Sequence, residues 1–469
     1  SVLLVIFGII AFYSEGSHGG ADDINHYRLA RYAFQHPEFF LDHWGKPLFT
    51  ILASPFAQFG YFGAKMYNVI MALLAALFVF KISRKYYEDS AIMGIAFVLL
   101  APVFMGLIPS SMTEITGACV LALALWLFYN KKYIATAIVI GLLPFARLEG
   151  VLIAGCFGLA MLMHRQWKSI PFLFAGLVLF SLIGIPVHHD IFWVFTKVPY
   201  SSASAAIYGS GSLWFYLENT KSIIGIPMAV FALVGVVHWI ALLIISNKEE
   251  RRKEIDFFLL IILPAFLIVA FHSVTWYLGV GAFPLLRFMV LIVPLYAIIA
   301  IRGFWVIEKL ITFNKPVLKY ILRGFVVLLL LTTSLKFYPI PVKLHGAPVV
   351  IKQSCNWIEE QGLSDRTVYY YDPYVFFFLD KNPFDPTQAR EKVFNRNNPG
   401  EQIEVGSLVV WDGSLAESHG GLPLSRLLES PDYKVLQVFQ PKEELSCFDV
   451  PYSVYVFERI QAEAALPLE

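Results

Sequence analysis

The residues of this chain best suited to group-transfer chemistry are an acidic pair, a lysine followed by proline, and one arginine beside an apolar run. Asp22 and Asp23 are adjacent, and either carboxylate could serve as a general base. Lys46, which precedes Pro47, and Arg287 are cations of the kind that hold a phosphate or pyrophosphate. A base and phosphate-binding cations are the two halves of a group-transfer site.

Other ionisable residues interrupt apolar runs of the sequence. A charge near bilayer depth is unfavourable by several kcal/mol unless it is paired or faces a wet cavity. We therefore expect a cavity that opens toward the outer face of a membrane. The further residues expected at that face are His26, Arg28, Arg31, His43, Glu114, Arg147, Glu149, His188, His189, Asp190 and His272.

The elements that carry these residues are predicted to be membrane-spanning helices. Of the 469 residues, 57% are hydrophobic and 15% are charged, and the mean hydropathy is +0.63, which excludes a soluble globular chain. Apolar runs of spanning length occur at about 61–80, 90–108, 114–129, 170–187, 222–246, 255–274, 285–301 and 321–335. The sequence indicates a polytopic, α-helical membrane protein.

Two further segments raise the expected number of spanning helices to eleven. Segment 133–163 is apolar except at Arg147-Leu148-Glu149-Gly150, so we interpret it as two short helices that meet at the membrane surface. Residues 1–13 are short for a span, and we count them as the first helix. The alternative for residues 1–13 is the hydrophobic part of a signal peptide.

The orientation follows from the distribution of Lys and Arg among the loops. With the N-terminus inside, the inner loops hold sixteen of these cations, whereas the outer side of the membrane region holds eight in longer loops. An odd number of spans places the C-terminal segment outside, and an even number would reverse that placement. We expect a multi-pass protein of a bacterial inner membrane with its active site and C-terminal domain in the periplasm.

The composition changes near residue 345, which predicts a second domain. The boundaries expected are 1–340 for the membrane domain, 345–460 for a small C-terminal α/β domain and 461–469 for a tail. Within the α/β domain the predicted strands are 367–371, 407–411, 434–439 and 453–457, and the predicted helices are 348–361 and 422–429. Asp372 and Asp412 end two of these strands and are interpreted as turn formers rather than ligands.

Charge and metal-ligand patterns exclude some classes of partner. The formal net charge of +1 gives no indication of nucleic-acid binding. His188-His189-Asp190 lacks further ligands at metal-site spacing, so no metal site is expected there. We expect no cofactor, although Asp22 with Asp23 could hold a divalent cation for a diphosphate donor. Cys355 and Cys447 could form a disulfide in an oxidising compartment.

The order of three motifs resembles the GT-C superfamily of integral-membrane glycosyltransferases. The motifs are Asp22-Asp23 after the first helix, His43-Trp44-Gly45-Lys46-Pro47-Leu48 before the second, and the run that starts at Arg287 in a late helix. The branch that they resemble contains protein O-mannosyltransferases and the lipid A aminoarabinose transferase. The resemblance covers roughly residues 1–335 and the plan of a C-terminal outer domain.

This resemblance implies a function and residue roles. It implies a sugar, most simply a mannose-like hexose, on a polyprenyl phosphate, and transfer with inversion to a hydroxyl of a lipid or protein acceptor at the outer face. Asp22 would take the acceptor proton, with Asp23 as the second acidic residue, while Lys46 and Arg287 would contact the lipid phosphate. The residues expected to position the acceptor or a loop are Glu114, Arg147, Glu149, His43 and His26.

The chain departs from the pattern of that branch at three positions, which concern the acceptor more than the reaction type. Asp23 stands where Glu is common, Gly45 stands where an acidic residue precedes the lysine, and only one proline follows Lys46. Two alternatives stay open: a glycan ligase that uses a diphosphate-lipid donor, and a transporter of lipid or solute. Residues 197–216 are expected to form a lid over the donor.

Overall fold

A computed structural model describes residues 2–198, 209–280, 283–313, 315–393, 395–447 and 450–461. The chain forms two compact units, Ser1–Val342 and Lys343–Glu469. Residues 199–208, which are half of the expected lid 197–216, lie outside the described part of the chain.

The first unit is helical throughout its described length. Its α-helices are α1 Val2–Tyr13, α2 Ala21–Tyr32, α3 Pro47–Ala57, α4 Gly60–Tyr87, α5 Met93–Leu99, α6 Pro102–Leu107, α7 Glu114–Tyr129, α8 Tyr133–Leu142, α9 Gly150–Met163, α10 Ala175–His188, α11 Trp193–Thr196, α12 Phe215–Glu218, α13 Thr220–Ile223, α14 Ile226–Ile245, α15 Lys248–Phe257, α16 Leu263–Tyr277, α17 Val293–Thr312 and α18 Pro316–Phe337. Turns of 3₁₀ helix occur at Pro37–Leu41, Glu88–Ile92, Leu143–Phe145, Trp167–Phe174 and Leu286–Ile292, and a π-helical turn occurs at Phe258–Ile262.

Six helical segments in the described residues are long and apolar enough to cross a membrane: Gly60–Leu99, Trp167–His188, Ile226–Ile245, Lys248–Tyr277, Leu286–Thr312 and Pro316–Phe337. Five apolar helical segments are shorter: Val2–Tyr13, Pro47–Ala57, Glu114–Tyr129, Tyr133–Phe145 and Gly150–Met163. The chain is a multi-pass membrane protein. The expected total of eleven crossings stays a prediction, because the shorter helices do not reach spanning length alone.

The central helix of this unit is far more buried within the protein than the peripheral helices. In the spanning window of Leu286–Thr312, 78% of residues are buried within the protein, against 17% in Ile226–Ile245 and in Pro316–Phe337. Many of the apolar side chains of the two peripheral segments are exposed on the protein surface, so only lipid can cover them.

Glycines let the central helix α17 pack closely against its neighbours. A Cβ on Gly303 of α17 would lie 1.9 Å from the carbonyl oxygen of Phe231, and a Cβ on Gly235 of α14 would lie 2.1 Å from that of Ile299. The two backbones are therefore in direct contact, as at small-residue crossings in membranes. On the other side, Gly94 of α5 allows Ile301 to pack against its backbone.

Two of the sixteen cations counted for the inner side, Arg302 and Arg323, lie within helices α17 and α18 rather than in loops. Arg302 is almost fully buried and forms an ion pair with Glu254 at 2.7 Å. Arg323 forms an ion pair with the buried Glu308 at 2.7 Å, and Ser90 donates to the same carboxylate. Each of the two arginines thus neutralises a carboxylate inside the unit.

The second unit is a small α/β fold, as expected from the sequence. Its helices are α19 Ala347–Glu360, α20 Tyr374–Phe378, α21 Leu415–Ser418 and α22 Leu424–Leu428. Its strands are β1 Val368–Tyr370, β2 Ala389–Glu391, β3 Leu408–Asp412, β4 Tyr433–Phe439, β5 Ser446–Cys447, β6 Val450–Pro451 and β7 Val454–Arg459. Strand β2 and the short β5–β6 pair were not predicted.

The main sheet of this unit has the order β2-β1-β3-β7-β4. Strand β1 is parallel to both β2 and β3, with Val368 opposite Ala389 and Leu408, while β7 is antiparallel to β3 and β4. Buried residues of β3 and β7, such as Val409 and Phe457, form its core.

The two strand-end aspartates of the second unit act as turn formers. One oxygen of Asp412 accepts from the backbone N–H groups of Ser414 and Leu415, and one oxygen of Asp372 accepts from that of Tyr374. Burial raises the pKa of Asp372 to about 8 and that of Asp412 to about 6. Cys355 is a buried free thiol, and the side chain of Cys447 lies outside the described residues, so the disulfide stays a prediction.

Candidate active site

Residues far apart in the sequence meet where several helices of the first unit begin. Asp22 lies in the first turn of α2, Lys46 directly precedes α3, Glu114 is the first residue of α7, Arg147 precedes α9, and Arg287 lies in the 3₁₀ turn before α17. Ion pairs, hydrogen bonds and, for Lys46 and His26, electrostatic interactions with the other members define one charged cluster. Its members are Asp22, His26, Lys46, Glu114, Arg147, Glu149, His272 and Arg287.

Arg287 contacts oxygen atoms on three sides of its guanidinium group. Nη2 donates to Asp22 Oδ2, and Nη1 donates to the carbonyl oxygen of Gly19 at 2.9 Å. Nε lies 3.5 Å from Glu114 Oε1, beyond good hydrogen-bond geometry. The Arg287 side chain is 13% exposed and that of Asp22 is 41% exposed. Solvent can therefore reach the Asp22 carboxylate, whereas the Arg287 side chain is mostly buried.

Arg147 is fixed by two carboxylates and an aromatic ring. It donates to Glu114 Oε1 at 2.9 Å and to Glu149 Oε1 at 2.8 Å. Its guanidinium lies over the ring of Phe288, 5.2 Å from the centroid. Glu149 also accepts a hydrogen bond from His272 at 3.1 Å. Arg147 is therefore already bound to partners within the protein.

Glu114 connects Arg147 with Arg287, and its position depends on a glycine. The side chain is fully buried, and its Oε2 has no hydrogen-bond partner among the described residues. One turn later in α7, a Cβ on Gly117 would lie 2.9 Å from Arg147 Cγ and 3.0 Å from Leu291. The glycine thus makes room for the arginine beside the start of α7.

Lys46 is buried in an unusual backbone conformation at the edge of the cluster. Its φ of 64° lies in the left-handed region, and its Nζ donates to the carbonyl oxygen of His43 at 3.0 Å. Burial, and after it the charge of Arg147, lower the pKa of Lys46 to about 8, although nearby carboxylates oppose this decrease. A buried lysine beside another cation gains stability from an anion, so Lys46 is suited to contact a phosphate.

Asp23 is placed very differently from Asp22. It is fully buried, and it accepts from the backbone N–H of Ser111 at 2.5 Å and from the hydroxyl of Tyr61 at 2.6 Å. Burial raises the pKa of Asp23 above its usual value. Neither Asp22 nor Asp23 is the N-cap of α2, because that position is Gly20. Asp23 instead joins the starts of α2, α4 and the loop before α7.

The two histidines predicted to position groups occupy different surroundings. His26 lies one turn after Asp22 on α2 and stacks on Trp44 with ring centroids 4.4 Å apart. Burial lowers the pKa of His26 well below its usual value, and the charges of Lys46, Arg287 and Arg147 add to this decrease. His26 Nδ1 is buried without a partner among the described residues. A neutral imidazole here can offer one hydrogen bond to a bound ligand.

His43 supports the loop before Lys46 from outside the cluster. Its Nε2 lies 2.9 Å from the carbonyl oxygen of Val194, and its ring packs edge-on against Trp193. Burial lowers the pKa of His43 as well. His43 thus fixes the loop, which is one of the two roles that the sequence suggested for it.

Two residues at this site, one in the cluster and one packed against it, were not assigned to the site from the sequence. His272 was expected only at the outer face, and Phe288 only as part of a helix motif, yet their rings stack 4.8 Å apart beneath Arg147 and Glu149. No spacing in the sequence links His272 of α16 to Glu149, because they are 123 positions apart. The sequence signal for this contact was indirect: a charged residue inside an apolar run, such as Glu149, needs a polar partner from another segment.

His188, His189 and Asp190 have structural roles. His188 stacks on Trp193 and contacts the carbonyl oxygen of Leu41, while Asp190 accepts from the backbone of Phe192 and the hydroxyl of Thr196. Among the residues that the structure describes, no group of three or more His, Cys, Asp or Glu side chains could hold a metal ion. The carboxylates of Asp22 and Asp23 have different partners, which are Arg287 for Asp22 and Ser111 with Tyr61 for Asp23.

The cluster combines an accessible carboxylate with cations suited to an anion. Its three carboxylates balance its three fixed cations, Lys46, Arg147 and Arg287, and Arg147 is occupied by two of those carboxylates. Lys46 and Arg287 remain as the cations that an incoming anion could contact. Such an arrangement can bind one phosphate and accept a proton beside it.

Comparison with known proteins gives matches among solved structures. Models of protein families and curated protein sequences give no match. The structure of ArnT, the lipid A aminoarabinose transferase, from Cupriavidus metallidurans in the apo state is similar with a TM-score of 0.65 at 12% identity, over 97% of this chain and 96% of ArnT.

Two other solved structures are similar at lower scores. The oligosaccharyltransferase of Archaeoglobus fulgidus, tethered to an acceptor peptide, gives a TM-score of 0.54 at 13% identity over 88% of this chain and 68% of the other. The arabinofuranosyltransferase AftD from Mycobacteria gives 0.52 at 12% identity over 98% and 40%. The resemblance inferred from the sequence is thereby confirmed for the fold: this chain has the fold of the GT-C superfamily of membrane glycosyltransferases.

Proposed function

We propose that this chain is a glycosyltransferase that moves a sugar, a mannose-like hexose, from a polyprenyl-phosphate donor to a hydroxyl of a lipid or protein acceptor. The proposed location is a bacterial inner membrane, with the reaction at the periplasmic face. The observation that carries the proposal is the solvent-reachable Asp22 carboxylate beside Arg287, next to the buried Lys46. The GT-C fold supports the same class of reaction.

The proposed reaction assigns a role to each of these groups. Asp22 accepts the proton of the acceptor hydroxyl as its oxygen attacks the anomeric carbon of the donor sugar. The bond between that carbon and the phosphate oxygen breaks, and its electron pair leaves with the polyprenyl phosphate. Attack opposite the leaving group inverts the anomeric carbon, and Lys46 and Arg287 offset the negative charge on the phosphate.

The charge of the cluster favours a monophosphate donor over a diphosphate donor. Arg147 is held by Glu114 and Glu149, so only Lys46 and Arg287 are available to the leaving group. Two cations match the charge of one phosphate. A diphosphate would bring more negative charge and is commonly neutralised by a divalent cation held on carboxylates.

The position of the charges favours transfer over transport. Arg287 lies in the cluster at the start of the Leu286–Thr312 segment, and the next charged residue along that segment is Arg302, which pairs with Glu254. Every residue from 288 to 301 is uncharged and nonpolar or aromatic. A transporter is expected to carry polar groups near mid-bilayer along its route, and this central segment has none.

The test is transfer of radiolabelled sugar in membranes that contain the protein. Polyprenyl-phosphate mannose, glucose and aminoarabinose are supplied in parallel to wild type, Asp22→Asn and Glu38→Gln. Glu38 is an exposed acidic residue of the same loop region outside the cluster, so its variant should match wild type.

We expect label to reach a membrane lipid or protein with wild type and Glu38→Gln, and a loss of at least about a hundredfold with Asp22→Asn. Full activity of a folded Asp22→Asn protein would remove Asp22 from the chemistry. No transfer from the three monophosphate donors, together with transfer when a polyprenyl-diphosphate sugar is supplied in a parallel assay, would instead support the glycan-ligase alternative.

A further inference from the structure

In the structure, Asp22 occupies the side of Arg287 that a donor phosphate would need. Nη2 of Arg287 donates to Asp22, Nη1 donates to the carbonyl oxygen of Gly19, and Nε faces Glu114. Oxygen atoms thus face the guanidinium on each of its three hydrogen-bonding sides. A phosphate can reach this arginine only if one of them gives way.

Two of those three oxygens are held in place. Glu114 is fully buried and its Oε1 also accepts from Arg147 at 2.9 Å, so moving it would separate a buried carboxylate from its cations and remove one of the two carboxylate partners of Arg147. Gly19 is fixed by the backbone, since a Cβ there would lie 2.6 Å from Met112 Sδ, and its N–H donates to Ser17.

Asp22 is the partner of Arg287 that can move away with little loss of stability. Its side chain is 41% exposed, so water can solvate the carboxylate once the ion pair opens. An ion pair whose carboxylate is this exposed contributes less stability than a fully buried pair. A phosphate contributes more negative charge and several acceptor oxygens to the same arginine.

We propose that the donor phosphate replaces Asp22 on Arg287, so that donor binding itself frees the general base and must precede productive binding of the acceptor. This inference rests on the proposed function and adds the order of events at the site. Before the donor arrives, Asp22 Oδ2 accepts from Arg287, so this oxygen is not available to an acceptor hydroxyl. After exchange, Glu114 keeps the arginine in place while Asp22 turns toward the acceptor hydroxyl.

The exchange makes the Asp22 carboxylate available only when the donor is bound. A free carboxylate has no acceptor proton to take before the donor sugar is in place, whereas after the exchange the base and the sugar are present together. Glu114 acts here as a positioning residue, because it contacts Arg287 and Arg147 but no reacting atom.

The test is the affinity of the full-length protein in detergent for farnesyl phosphate, which represents the leaving group of the donor. Binding is measured by calorimetry for wild type, Asp22→Ala, Arg287→Gln and the double variant. Removal of the competing carboxylate should tighten binding by about threefold to tenfold. The same substitution in the Arg287→Gln background should give no gain, because the competition for Arg287 is then absent.

Each other outcome contradicts a defined part of this scheme. Unchanged or weaker binding by Asp22→Ala overturns the exchange while leaving the proposed phosphate site intact. An equal gain in both backgrounds means that the carboxylate acts only through its long-range field, which also overturns the exchange. Failure of wild type and Asp22→Ala to bind farnesyl phosphate overturns the phosphate site, and with it both proposals.

Discussion

Asp22 and Asp23 are adjacent in the sequence, yet the fold gives them opposite tasks. On helix α2 successive side chains point about 100° apart, so one aspartate faces the charged cluster and the other faces the protein interior. Asp23 accepts hydrogen bonds that join three segments, while Asp22 stays reachable by solvent. Two identical residue types therefore divide into a structural carboxylate and a candidate base.

Substitution of Asp23 should reduce stability rather than chemistry. In Asp23→Asn the charged acceptor for the Ser111 N–H and the Tyr61 hydroxyl is lost inside the protein, so we expect a loss of about 1–3 kcal/mol. Thermal unfolding in detergent measures it, with Asp22→Asn as the matched control. A larger loss of stability in Asp22→Asn than in Asp23→Asn would contradict this assignment.

The low pKa of Lys46 predicts the alkaline limit of activity. Because burial lowers the pKa of Lys46 to about 8, the lysine is cationic below that pH and loses its proton above it. The value of kcat/KM, which reports the free enzyme, should therefore fall above pH 8 by about tenfold per pH unit. Lys46→Arg keeps its charge and should move this limit beyond the range in which the protein is stable.

Measurement of kcat/KM against pH for wild type and Lys46→Arg tests this prediction. An alkaline limit at the same pH in wild type and Lys46→Arg would show that another group sets it.

At the scale of elements, the site is held by helix starts whose packing depends on close backbone approach. The cluster needs the 3₁₀ turn before α17 to stay beside the start of α7, where Gly117 leaves room for Arg147. The contact of α14 with α17 depends in the same way on Gly235 and Gly303. Small residues thus decide how near the helices lie to one another.

Replacement of Gly303 should separate α14 from α17. In Gly303→Ala the new Cβ would lie 1.9 Å from the carbonyl oxygen of Phe231, so the helices must move apart at a loss of about 1–3 kcal/mol or more. Gly324→Ala in α18 is the matched control, because a Cβ there meets no atom within 4 Å and alanine favours a helix by up to about 1 kcal/mol. Thermal unfolding of both variants in detergent measures the difference.

Equal unfolding temperatures for Gly303→Ala and Gly324→Ala would mean that α14 and α17 are not in backbone contact.

At the scale of the whole molecule, the chain is a helical membrane unit joined to a small α/β unit. The membrane unit exposes much apolar side-chain surface on its peripheral helices, which only a lipid environment can cover. The distribution of Lys and Arg among the loops predicts that the cluster and the α/β unit face the outside.

That orientation predicts which single cysteines react with a membrane-impermeant maleimide in intact cells. Glu38 and Glu417 are exposed and expected outside, whereas Glu249 is exposed and expected inside. In a Cys447→Ser background, Glu38→Cys and Glu417→Cys should react at once, and Glu249→Cys only after the membrane is opened. The native Cys119, Cys156 and Cys355 are buried and should stay unlabelled. The reverse labelling pattern would show that the topology is opposite to the one predicted.

The sequence by itself determined the class of the protein and most of its elements. Long apolar runs cannot fold in water, so the membrane unit followed from composition, and the change of pattern near residue 345 predicted an α/β unit. The four predicted strands match β1, β3, β4 and β7. Strand β2 was missed because three residues, of which two are charged, carry no clear alternation.

The sequence also placed the candidate site residues at one face, because charges inside apolar runs must meet each other or water. Only the tertiary structure decided which charges pair. Arg147 could have faced a ligand, but Glu114 and Glu149 occupy it, while Arg287 meets the exposed Asp22. The contacts of Arg147 with Glu114 and of Arg287 with Asp22 join residues 33 and 265 positions apart along the chain, and no local pattern encodes which distant partner a charge will reach.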